Sequence, residues 1–191
     1  MTARVTARVA VGAARRRRPG SRPRPAHAAP HRVGCAIITV SDTRGPSDDR
    51  SGTVLQQRIE RGGHTVITRV WARDEIPAIR RAVRAALARS DVDAVLITGG
   101  TGVARRDVTP EAVAPLVRRW LPGFGELFRM LSFAEVGSAA WLSRGAAGIA
   151  RGRLLVMLPG SPAAVRLAAN RLLVPELAHA ARLLGRLKPG E

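Results

Sequence analysis

The chain has 191 residues, enough for one sizeable core, and no apolar run long enough to span a bilayer. Hydrophobic residues make up 46% and aromatics only 3%, so Val, Leu, Ile and Ala must build that core; a single cysteine, Cys35, excludes an intrachain disulfide, and His27, His31, His64 and His179 lack metal-ligand spacing. The net charge is +18, but nine arginines and no acids in residues 1–32 supply half of it, which weakens the case for a nucleic-acid-binding domain.

Residues 1–32 contain Arg15–Arg18 in a row and then alternate Arg with Pro. They show no helical or strand periodicity and cannot bury enough apolar surface to offset ordering entropy, so they read as a disordered basic tail. The alternative is a start codon placed too far upstream. No apolar stretch follows the arginines, so the segment is not a signal peptide, and a cytoplasmic location is expected. A nucleic-acid arm is disfavoured because the tail has no aromatic residue for stacking.

From Val33 the pattern changes, and residues 33–191 read as one α/β domain. Residues 33–40 form an apolar run suited to a buried strand. A helix is expected over 52–61, with Ser51 as N-cap and Gly62-Gly63 as its stop. A second strand follows at 65–71. Ile76, Ile79, Val83, Ala86 and Leu87 fall on one face of a helix over 75–89. Residues 93–98 give a third strand. Thr109-Pro110-Glu111 reads as a helix start, with Thr capping, Pro in the first turn and Glu at the positive end of the dipole. A helix is expected over 124–134, where Phe128 and Met130 suit packing or subunit contact. A strand follows at 153–158, and then Ser161-Pro162 opens a long helix that Pro175 should kink or split. This alternation predicts a three-layer α/β/α fold around a mostly parallel sheet, with ligands beyond the carboxyl ends of the strands.

The turn Gly99-Gly100-Thr101-Gly102 follows the third strand directly. Glycines let a backbone turn sharply and bring N–H groups close to an anion, yet GGTG alone is more simply read as an ordinary tight turn. It matches neither a Walker A loop nor a dinucleotide fingerprint. Arg105, Arg106 and Asp107 come next, before the helix start at Thr109. Two guanidiniums, a carboxylate and a helix N-terminus suit phosphate together with Mg2+. The plainer reading is that Asp107 pairs with an arginine or caps a turn.

These residues resemble the MogA/MoaB family and the related G domain of gephyrin, which act on molybdopterin. The resemblance runs from Val33 to about Leu184. It rests on TVSD (Thr39–Asp42), DRSG (Asp49–Gly52), GGTG followed by RRDVTPEA (Arg105–Ala112), PGFGE (Pro122–Glu126), LSR (Leu142–Arg144) and LPGSP (Leu158–Pro162) in that order. It implies a molybdopterin-binding α/β domain, usually assembled as a homotrimer. It further implies a nucleotidyltransferase that moves AMP from Mg-ATP to the terminal phosphate of molybdopterin and releases pyrophosphate. A molybdate-insertion protein is an implied partner.

By the same resemblance, the catalytic and Mg2+-holding aspartates fall on Asp74 and Asp107. The nucleotide and pterin pockets fall on Ser41, Asp42, Gly99, Gly100, Thr101, Gly102, Ser143, Arg144, Pro159, Gly160 and Ser161, with Arg144 as an anion contact. Simpler roles exist for several: Asp74 as the cap of the 75–89 helix, Ser143 as a turn hydroxyl, and 159–161 as a plain strand-to-helix connection. Phe128–Ser138, FRMLSFAEVGS, is closer to the MoaB branch, so the alternative is a pterin-binding protein without adenylyltransferase activity.

Overall fold

The computed structural model describes residues 32–42 and 45–187. The basic tail expected over 1–32 thus lies outside the described residues, except for Arg32.

Strands β1 (Gly34–Val40), β2 (Thr65–Ala72), β3 (Ala94–Thr98), β4 (Arg119–Trp120), β5 (Ala146–Ala150) and β6 (Arg153–Leu158) form one sheet in the order β2-β1-β3-β6-β5-β4. The β2-β1, β1-β3 and β3-β6 pairings are parallel, whereas β5 runs antiparallel to both β6 and β4. The helices are α1 (Arg50–Arg61), α2 (Ile76–Ala88), α3 (Thr109–Val113), α4 (Pro122–Val136), α5 (Pro162–Ala168) and α6 (Leu177–Leu183).

The period of two along β1 sorts its side chains into two cores. Val33, Cys35 and Ile37 join a cluster with Leu55 and Ile59 of α1, Phe128 of α4, Val165 of α5 and Leu177 of α6. Ala36, Ile38 and Val40 join a second cluster with Ile79, Val83 and Leu87 of α2 and Val113 of α3. The three layers follow directly, because a strand buried on both faces must be apolar throughout. Each fully buried Leu or Ile contributes on the order of 2 kcal/mol. Burial, with the Asp93 charge adding to it, pushes the Cys35 thiol up to about 12, so it stays protonated and inert.

Several local expectations change. Asp49, not Ser51, caps α1: its Oδ1 accepts from the Gly52 N–H at 2.7 Å, and Ser51 lies inside the helix. Asp49 is also the partner of Arg69 at 2.9 Å and accepts from Thr39 Oγ1 at 2.7 Å. A carboxylate that serves the strand and the helix together outcompetes the shorter serine. Thr109 is the first residue of α3 rather than its cap, since its hydroxyl donates to Gly99 O at 2.9 Å. Asp74 does not cap α2; Glu75 holds the N-cap position and no side chain caps it. Pro175 does separate two helices, with one π-type turn (Ala169–Leu173) bridging α5 and the residues before α6.

Phe128 of α4 is buried, whereas Leu127, Met130, Phe133 and Val136 are exposed. Neighbours three residues apart touch, so the four follow an inclined ridge around the outer half of the helix. Trp141, in the 3-10 segment Gly137–Leu142 that follows, is 73% exposed and extends the apolar surface. Among the described residues, no helix is long and apolar enough to cross a membrane.

Candidate functional site

A cavity of about 380 Å³ opens beyond the carboxyl ends of the parallel strands. Val40, Ser41 and Asp42 enter it at the end of β1, Asp74 after β2, Gly99–Gly102 with Arg106 and Asp107 after β3, and Pro159–Ser161 after β6. This is the rim on which strand-to-loop turns of a parallel sheet collect, and where ligands bind in such folds.

The glycine turn fits only without side chains. Gly99 and Gly100 have φ of 105° and 63°, in the left-handed region that favours glycine. A Cβ on Gly99 would stand 2.2 Å from Val40 O, and one on Gly100 would stand 2.4 Å from Thr109 Oγ1 and 2.5 Å from Asp74 Oδ1. Thr98 Oγ1 donates to Pro159 O at 2.9 Å, and the Gly99 N–H donates to Leu158 O at 3.0 Å, so the turns after β3 and β6 are fastened together.

Three carboxylates share the cavity. Asp42 Oδ1 accepts from the Asp74 backbone N–H at 2.9 Å, and Asp107 Oδ2 accepts from the Ala104 N–H at 2.8 Å. Asp74 Oδ1 is buried without a hydrogen-bond partner among the described residues, as is the hydroxyl of Thr101. Burial raises the Asp74 carboxyl above its ordinary value, and the charges of Asp42 and Asp107 raise it further, with Arg106 opposing them. A buried oxygen with no donor and two like charges nearby is a site short of positive charge. Among the described residues, no group of three His, Cys, Asp or Glu side chains converges on a metal position. Any cation held here would therefore need ligand oxygens as well, the mode usual for Mg2+ at phosphates.

The structure brings eleven of the thirteen residues singled out by sequence into the cavity lining: Asp74, Asp107, Ser41, Asp42, Gly99, Gly100, Thr101, Gly102, Pro159, Gly160 and Ser161. Ser143 and Arg144 are outside it. The Ser143 hydroxyl accepts from the Gly145 N–H at 3.3 Å, as a turn hydroxyl does. Arg144 is turned onto protein acceptors, donating from Nε to Gly102 O at 2.7 Å, from Nη2 to Asp107 O and from Nη1 to Glu111. Arg106 is a lining residue that the site assignment left out, although its place beside Asp107 signalled it. The DRSG segment stands apart from the cavity lining: the Asp49 carboxylate is spent on capping α1, and the Ser51 hydroxyl donates to it at 3.2 Å.

The model of a family described as "Probable molybdopterin binding domain" matches residues 36–179. The chain belongs to that family. The molybdopterin-binding-domain match covers every cavity residue. The chain is 48% identical over 155 residues to "Molybdenum cofactor biosynthesis protein B" of Bacillus subtilis (strain 168), covering 81% of this chain and 91% of the relative. Among solved structures, one described as "Crystal structure of Molybdenum cofactor biosynthesis protein B" superposes with a TM-score of 0.81 at 45% identity, covering 84% of this chain and all of that one. A structure described as "anomalous substructure of MogA" superposes with a TM-score of 0.70 at 30% identity, covering 79% and 99%. The six-stranded α/β architecture of this molybdopterin-binding domain is thus the one these proteins share.

Proposed function

We propose that this chain acts in molybdenum-cofactor biosynthesis as a molybdopterin adenylyltransferase, joining AMP from ATP to the terminal phosphate of molybdopterin and releasing pyrophosphate. The observation that carries this reading is the orphaned Asp74 Oδ1, buried beside Asp42 and Asp107 at the mouth of a glycine turn. A passive pterin pocket has no need of concentrated negative charge, whereas a site for Mg-ATP does.

The residues suit the chemistry. A phosphate monoester is already ionised near neutral pH, so no side-chain base is required. Its oxygen bonds to the α-phosphorus of ATP while the bond from that phosphorus to the β-phosphate bridging oxygen breaks, and pyrophosphate carries the charge away. Asp74 and Asp107 fit Mg2+ as hard oxygen donors; when bound, the ion neutralises charge on the phosphates. Arg106, at the cavity wall, faces the same anions. The glycine turn and Thr101 hold and orient the phosphates, and the Pro159–Ser161 turn closes the opposite side.

Assembly as a homotrimer is part of the proposal, because the strip of Leu127, Met130, Phe133 and Val136 calls for a cover. A molybdate-insertion protein is the proposed recipient of the product, and the cytoplasm the proposed location. One observation favours a second reading, a pterin-binding protein without transfer activity: the relative in Bacillus subtilis carries the name of protein B.

Purified chain incubated with molybdopterin, ATP and Mg2+ tests both. Pyrophosphate release that depends on molybdopterin supports the first reading. Molybdopterin binding with no release, under conditions where an active adenylyltransferase turns over, replaces it with the second.

A further inference from the structure

Arg144 stands where the 3-10 segment after α4 meets β5, distant in sequence from the loop that carries Asp107. That loop closes on itself: the Ala104 N–H donates to Asp107 Oδ2 at 2.8 Å and the Asp107 N–H to Ala104 O at 2.9 Å. These two bonds set the shape of the turn but not its place relative to the cavity. The bonds from Thr109 to Gly99 O and Gly100 O hold only its base.

Arg144 supplies the outer anchor. Its backbone N–H donates to Thr101 O at 2.9 Å, and its Nε to Gly102 O at 2.7 Å. Nη2 donates to Asp107 O, and Nη1 pairs with the carboxylate of Glu111 on α3. One residue thus grips the loop at both ends and fastens it to the helix beyond. Burial pushes the Glu111 carboxyl up, but the hydrogen bond and charge of Arg144, together with the backbone N–H of Glu111 itself, leave the group below its usual range.

We infer that Arg144 is a positioning residue for Asp107, acting through the loop backbone rather than touching an anion in the cavity. The inference rests on the adenylyltransferase reading of the site. The planar fork of guanidinium donors is what spans Gly102 O, Asp107 O and Glu111 together; a lysine ammonium, a single point on a flexible stem, cannot span them. Arg144 is also absent from the cavity lining, so a direct contact to a phosphate has no support in the geometry.

The test uses the full chain with Arg144→Ala and Arg144→Lys, read in two ways. Hydrogen exchange of residues 101–108 in the free protein should quicken about tenfold or more in both variants, with the central strands unchanged. In pyrophosphate release, kcat should fall roughly 10- to 100-fold with little change in KM for ATP, because misplacing a catalytic group acts on the transition state. A raised KM with unchanged kcat makes Arg144 an anion contact and overturns the inference. So does full recovery of kcat and exchange protection by lysine, or loop exchange that does not change. If alanine unfolds the chain, lysine alone decides. If the unaltered chain releases no pyrophosphate, the adenylyltransferase reading falls, while the exchange experiment still decides whether Arg144 anchors the loop.

Discussion

The carboxylate of Asp42 accepts a 2.9 Å hydrogen bond from the backbone N–H of Asp74. The group that fixes the Asp74 backbone is therefore also one of the charges that oppose ionisation of its side chain. Asp42→Asn keeps an oxygen acceptor and removes the charge. Asp74→Asn removes the other partner of the repulsion. Each should raise stability near neutral pH, and the double variant should gain less than the sum, with a coupling of about 0.5 kcal/mol or more in denaturant unfolding. Strict additivity would show that the two carboxylates do not interact.

Asp107→Ala and Asp107→Asn separate chemistry from folding. Asparagine retains an acceptor for the Ala104 N–H, and alanine does not. Both should abolish pyrophosphate release, whereas only alanine should lose stability, by about 1 kcal/mol. Turnover that survives in both variants removes Asp107 from the catalytic assignment.

Gly100→Ala tests the turn. The residue has φ of 63°, and its Cβ would meet Asp74 Oδ1 and Thr109 Oγ1 within 2.5 Å. A cost of roughly 1–3 kcal/mol is expected from the backbone conformation alone. Because the collision falls on Asp74, ATP binding measured by calorimetry should weaken as well. Gly123→Ala, with nothing within 4 Å of its Cβ, is the control for an added methyl.

Asp49 should contribute to the pH dependence of stability in acid. Burial pushes its carboxyl up, but the Gly52 N–H, the Thr39 hydroxyl and the Arg69 guanidinium together pull it below the ordinary aspartate value. A carboxyl lowered by folding contributes stability that is present above its unfolded pKa, near 4, and is lost as pH falls through the folded value. Asp49→Ala should cost about 3 kcal/mol at neutral pH, since it leaves Arg69 unpaired and α1 uncapped. The variant's stability should also fall less steeply below about pH 4 than that of the unaltered chain. Parallel pH curves for the two would assign acid sensitivity to other groups.

The apolar strip on α4 predicts assembly. Met130 and Phe133 are 61% and 62% exposed. Light scattering of the unaltered chain should give a trimer mass, and Met130→Glu with Phe133→Glu should give a monomer that keeps its far-ultraviolet circular dichroism. A monomeric unaltered chain at micromolar concentration would leave the strip without the proposed cover.

Sequence periodicity located β1, β2, β3, β6, α1 and α2 within about two residues, because each buries a face whose pattern is written in consecutive side chains. β4 and β5 escaped it. β4 is two residues long, and β5, AAGIA, is built of small residues that carry little strand signal; its antiparallel direction depends on the Arg151-Gly152 turn. At the site, the convergence of the aspartates and glycines on one cavity was legible because they sit in the turns that follow the parallel strands. The contacts of Arg144 were not, since they reach Gly102 and Asp107 across 42 and 37 residues of sequence. The same holds for Asp49, whose claim on α1 is settled by Arg69 on β2 and Thr39 on β1.

That separation in sequence has a consequence for the order of folding. When β3 and α3 have left the ribosome, both aspartates and the whole glycine turn are already in the chain. Leu158 O, which receives the Gly99 N–H, and Arg144, which anchors the Asp107 loop, are still to come. Closing such long loops costs entropy before any contact rewards it, so the cavity takes shape late, after β6 joins β3. Until then the acidic pocket lacks its Pro159–Ser161 wall and the anchor that Arg144 gives the Asp107 loop.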